Sequence, residues 1–184
     1  SYDSKRIVDE SNGKNHSNQI LNFHGFAPGV NGIGNSLEVN GVQKNYDYFL
    51  KTEINHKISN KFTYSFWFYP ISADSNKSNN RILQRGSDSV ENFPKRNQRL
   101  PAIFFNSKNK GLLVYLNTFN EQDDKEGEFI ISNGGANYKR WINITLMKSD
   151  SMMSLLLNGS LDSKIRLTSG IFEPDSMVLD NSIY

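Results

Sequence analysis

The densest group of chemically capable side chains is Glu121-Gln122-Asp123-Asp124-Lys125-Glu126, where four acids fall within six positions. Retaining hydrolysis of a glycosidic bond needs two carboxylates about 5–5.5 Å apart, one acting as acid and one as nucleophile. On a strand Glu121 and Asp123 would share a face, and a bulge would be needed to bring Glu126 onto it. The residues between would then pack into a core. They are Gln122, Asp124 and Lys125, with Gly127 following, and a polar run of that kind is a solvated loop. No catalytic residue is expected there. The histidines His16, His24 and His56 stand near no nucleophile motif such as G-x-S-x-G and lack the spacing of a zinc site. The chain has no cysteine, which excludes disulfides and thiolate metal centres.

Two other groups of residues could bind rather than react. Asp9, Asn12 and Asn15 lie in one glycine-containing turn, and converging oxygens of this type suit a hard cation such as calcium. An ordinary Asx-turn with no ion is the competing reading. Exposed aromatic rings can stack on the apolar face of a sugar. Tyr69, at a strand end before Pro70, and Tyr115 are the expected ligand contacts, whereas Trp67 and Trp141 are expected in the core, because large aromatics dominate cores. Lys95, Arg96 and Arg99 form the one local excess of basic residues. They read as a solvated loop, with anion binding as the alternative.

The charges, 21 basic against 19 acidic for a net +2, are interspersed and give no field for nucleic acid. No stretch approaches the roughly 20 apolar residues of a membrane-spanning helix, so no membrane insertion is expected. The first residues lack a secretory hydrophobic core, so any such signal was removed or lies outside this sequence.

The elements that must position these residues are short and bounded by Gly and Asn. Strands are expected over Gln19–Phe23, Ser36–Val39, Phe62–Tyr69, Arg81–Arg85, Ala102–Asn106, Gly111–Thr118, Glu128–Ile131, Trp141–Lys148, Met152–Leu157 and Lys164–Leu167. Phe62, Tyr64, Phe66 and Phe68 fall on one face of their strand. Thr63, Ser65, Trp67 and Tyr69 fall on the other, and aromatics on both faces suggest a central strand. No apolar stripe of period 3.6 persists; the best helical candidate is one turn near Asn45–Leu50. Asn158-Gly159, between Leu155-Leu156-Leu157 and Ser160-Leu161, reads as a two-residue hairpin turn. Sequons occur at Asn15, Asn76, Asn143 and Asn158, as chance alone would give in an Asn-rich chain. Many short strands with such turns point to a sandwich or jelly roll.

Several segments carry a family resemblance. Asp9-Glu10-Ser11-Asn12-Gly13-Lys14-Asn15-His16 resembles a "D-x-S-G-N-G-N-H" opening, and Gly29 through Gly41 resembles "G-x-x-G-x-A-L-x-F-D-G". Phe62-Thr63-Tyr64-Ser65-Phe66-Trp67-Phe68-Tyr69-Pro70 is similar to "F-T-I-S-F-W-V-x-P". Trp141 to Leu146, followed by Leu155-Leu156-Leu157-Asn158-Gly159, resembles "W-x-H-V-A-x-T … L-Y-V-N-G". In this order they resemble laminin-G-like jelly rolls of the concanavalin A-like lectin/glucanase superfamily. The resemblance implies an all-β, two-sheet antiparallel jelly-roll sandwich, one domain over residues 1–184 that could be a piece of a larger protein. The tail Met177–Tyr184 fits either the family's closing strand or its penultimate one.

The family places its first and last strands side by side near a structural ion, which adds Asp180 to the calcium ligands. Its glucanases use an E-x-D-x-x-E strand, which Glu121–Glu126 matches as a string but not in the apolar residues between. The implied function is a non-catalytic, lectin-like binding module for a glycan or glycoprotein surface, placed outside the cell, on a cell surface or on a virion, with a role in adhesion. A structural or protein-interaction domain is the alternative, and a glycoside hydrolase the second.

Overall fold

In a computed structural model of the chain, the described residues are 19–20, 25–38, 50–51, 59–72, 79–86, 99–118, 127–168, 170 and 182–183. They form the strands β1 (Gln19–Ile20), β2 (Gly25–Pro28), β3 (Asn35–Glu38), β4 (Leu50–Lys51), β5 (Phe62–Phe68), β6 (Asn79–Gly86) and β7 (Ala102–Asn106). Next come β8 (Gly111–Leu116), β9 (Glu128–Gly135), β10 (Ile142–Ser149), β11 (Met152–Leu157), β12 (Ser160–Arg166) and β13 (Ser182–Ile183). One 3-10 turn, Val30–Gly32, is the sole helical element among the described residues.

The strands assemble into a four-stranded sheet of order β12-β11-β10-β5 and a five-stranded sheet of order β13-β6-β7-β8-β9. All their pairings are antiparallel. Two short pairs, β1-β4 and β2-β3, lie outside them. The chain is therefore an all-β protein built on antiparallel sheets.

Period-two alternation explains which side of each strand is buried. Along β10, Ile142, Ile144 and Leu146 are buried, whereas Asn143, Thr145 and Met147 alternate with them on the other face. β5 runs antiparallel beside it, setting Phe66 opposite Ile144 and Tyr64 opposite Leu146. These side chains meet Ile103, Phe105, Leu112, Val114 and Ile130 of the five-stranded sheet in one apolar cluster. That shared cluster is what joins the sheets face to face, each fully buried aliphatic side chain contributing about 1.5–3 kcal/mol.

The Asn158-Gly159 turn has the expected form. Both residues have positive φ, 51° and 79°, as a type I′ hairpin requires. It carries the chain directly from β11 into β12, so β12 starts at Ser160 rather than at Lys164. Of the expected helical turn near Asn45–Leu50, residues 45–49 lie outside the described residues, and Leu50 belongs to β4.

Lys148 occupies an inward position of β10, opposite Phe62 and Met153, and is 3% exposed. Its ammonium donates to the carbonyls of Asn60 (2.9 Å) and Asp150 (2.6 Å). Burial pushes its pKa below the ordinary 10.5, and the nearby Asp150 charge offsets part of that. The folded state then releases this proton before the unfolded state does, so stability rises as pH climbs from the lowered value towards 10.5 and the burial cost is fully present below that window. In urea titrations at pH 7 and pH 10, wild type is expected to gain stability relative to Lys148→Met at the higher pH. An equal difference at both pH values would show that Lys148 is not the group responsible.

Candidate ligand-binding face

The outward positions of β5 and β10 form a small polar and aromatic surface on the four-stranded sheet. The register sets Trp67 opposite Asn143 and Ser65 opposite Thr145. Trp67 is 50% exposed. Beside it three side chains close a hydrogen-bonded ring. The Asn143 amide donates to Ser65 Oγ (3.4 Å), and Ser65 and Thr145 share a bond of 2.9 Å. Thr145 donates to Asn143 Oδ1 (3.0 Å). The second amide hydrogen of Asn143 goes to the Phe66 carbonyl (3.4 Å). With Ser65 donating to Thr145, the donors of the ring are used internally, and what faces outward is oxygen lone pairs. A ligand that suits this surface must bring its own O–H or N–H donors and a flat apolar patch for the indole.

Two local devices fix the geometry. At the upper end, Tyr69 leans on Trp141, ring centroids 5.1 Å apart, and the Lys139 N–H bonds the Pro70 carbonyl (2.8 Å), which holds the turn before β10 against the end of β5. At the side, the backbone N–H of Asn143 donates to Asn158 Oδ1 (2.9 Å), and the Asn158 N–H donates back to the Asn143 carbonyl (2.9 Å). The β11–β12 hairpin tip is thus locked to the strand carrying Asn143.

This arrangement corrects the expectation that Trp67 lies in the core. Phe66 and Phe68 take the inward positions, so Trp67 between them must point outward, and β5 ends its sheet among the described residues rather than lying centrally. Trp141 is partly buried against Tyr69 rather than in the inter-sheet cluster. Tyr69, 37% exposed, sits on this surface.

Tyr115 does not join it. On the outer side of the five-stranded sheet, it packs between Phe104 (6.1 Å) and Phe129 (5.5 Å), with the Arg99 guanidinium 5.6 Å from its ring centre. The two tyrosines therefore belong to opposite sides of the molecule. Arg99, expected in a solvated loop, is 0% exposed; contact with the Tyr115 ring replaces water around part of its charge. Lys95 and Arg96 lie outside the described residues, as do Asp9, Asn12, Asn15 and Asp180, the Glu121–Glu126 segment and the three histidines. Among the described residues, no cluster of His, Cys, Asp or Glu could hold a metal ion.

A second concavity, about 580 Å³, runs between β9 and β12 and includes Phe129, Ile131, Leu161 and Lys164 in its lining. Asp162 also lines it, and its carboxylate accepts the N–H groups of Asn133 (2.8 Å) and Gly134 (2.6 Å), while Asn133 Nδ2 donates to the Asp162 carbonyl (2.7 Å). This clasp ties the edges of the two sheets together.

Fold and surface together define an antiparallel β-protein with an exposed aromatic ledge beside a ring of hydroxyl and amide groups. No protein-family model matches the chain, and no curated protein matches it. Among the described residues, no helix is long and apolar enough to cross a membrane.

Proposed function

We propose that the chain is a non-catalytic carbohydrate-binding module of the laminin-G-like, concanavalin A-like jelly-roll type, carried on the surface of a cell or virion. The observation that carries this reading is Trp67. Other large apolar side chains are as exposed, Phe129 and Leu161 among them, and what distinguishes Trp67 is that it adjoins oxygen acceptors suited to hydroxyl donors. Sugars offer that combination, an apolar ring face edged by O–H groups. The order of the sequence motifs and the two antiparallel sheets support the jelly-roll assignment by analogy of fold. The absence of catalysis rests on the polar run at Glu121–Glu126.

The reading is tested by titrating the protein with a panel of neutral and acidic oligosaccharides, in calcium and in EDTA, following tryptophan emission and heat. Binding of at least one sugar with a change in tryptophan emission is expected. Flat titrations with every sugar in both conditions would remove the proposal.

A further inference from the structure

The fold gathers onto the Trp67 side of the molecule cations that are far apart in sequence. We infer that the ligand of this face is an acidic glycan, an extended chain bearing carboxylate or sulfate groups; this rests on the sugar-binding reading above. Antiparallel pairing places Lys164 beside Ser154 and Arg166 beside Met152, and these in turn beside Met147 and Ser149 of β10. Those β10 positions have the same parity as Asn143, so Lys164 and Arg166 rise from the same face as Trp67. Both are exposed, as are Lys139 and Arg140 in the turn that leads into Trp141.

Among the described outward positions of β5, β10, β11 and β12 there is no carboxylate. Three acids lie at the margins of this face, and each is engaged: Glu128 accepts the Thr168 N–H at 2.6 Å. Asp162 falls in the register shift of β12 and bonds the β9 backbone, and Asp150 pairs with Lys61 at 3.3 Å. Among the described residues, the outward side chains of these four strands thus include cations and no carboxylate, which favours anionic ligands through the local field.

The spacing speaks for a chain rather than a single sugar. Trp67 and Lys164 are separated by three strand spacings and four residues along the strand, roughly 20 Å apart. A single ring on the indole cannot reach those cations. A run of sugars can stack at Trp67, donate hydroxyls to the Asn143–Ser65–Thr145 ring, and place acid groups over Lys164 and Arg166 of β12.

The test uses matched pairs differing only in charge: oligogalacturonides against their methyl esters, and sulfated against plain dextran oligomers, with polyglutamate as an anion lacking sugar rings. The acidic member is expected to bind about tenfold tighter at low salt, several exposed ionic contacts each contributing a fraction of a decade, and the gap should narrow as salt screens it. The double variant Lys164→Glu, Arg166→Glu should lose the preference while keeping the affinity for the neutral member. Equal binding of charged and neutral members, abolished in both by Trp67→Ala, would overturn the charge selection and leave the sugar site standing. Polyglutamate bound as tightly as the acidic sugars would overturn it too. No binding of any sugar would sink both readings.

Discussion

Trp67→Ala is expected to weaken sugar binding by about 10- to 100-fold while leaving the fold intact. Nucleobases stacked on an aromatic side chain contribute about 1–3 kcal/mol each by alanine substitution, and a sugar face on the indole is expected in the middle of that range, which corresponds to about 10- to 100-fold in Kd. The side chain points away from the inter-sheet cluster, so its removal should shift stability by no more than about 0.5 kcal/mol. Its neighbour supplies the control. Phe66, one position away, packs against that cluster, and Phe66→Ala should destabilise the protein instead. Titration calorimetry and urea denaturation on the two variants separate the roles. Unchanged affinity in a folded Trp67→Ala protein would show that the ligand does not touch this face.

Leu146→Ala should cost about 2–5 kcal/mol of stability. Leu146 is fully buried in the middle of β10, with Tyr64 on one side and Leu155 on the other, so the space it leaves is enclosed by two neighbouring strands and the facing sheet. The surrounding strands are held by their ladders and can collapse only partly onto the gap. Leu161→Ala makes the comparison, because Leu161 is 57% exposed and its loss should fall within about 0.5 kcal/mol. Denaturation midpoints that fail to separate the two leucines would mean the sheets do not enclose Leu146 in solution.

Short apolar runs bounded by turn residues are legible in the sequence as strands, and sites that need two distant segments are not. β7 and β11 match their expected bounds residue for residue. Trp67 departs from expectation because both faces of β5 carry aromatics, and composition then hides the period that decides which face is inward. β9 runs on to Gly135 through Asn133-Gly134, a pair whose local preference is a turn. Asp162, distant in sequence, accepts both backbone N–H groups there and holds the segment extended. The neighbours of Arg99 in sequence are polar and suggest a solvated side chain, but the Tyr115 ring that shelters it comes from β8. Lys164 and Arg166 are distant in sequence from Trp67, so only strand pairing places them on its face.

The ring of Asn143, Ser65 and Thr145 joins residues about eighty positions apart, with Ser65 and Thr145 separated by 80. Contacts so distant are closed late in folding, because the entropy of the intervening loop must be lost before they form. During synthesis, then, β5 leaves the ribosome with its tryptophan unpartnered, and the receptor surface comes into existence only when β10 arrives. On the proposed reading, sugar capture therefore waits for β10, and a nascent fragment ending before residue 142 would carry the indole without the ring of polar groups beside it.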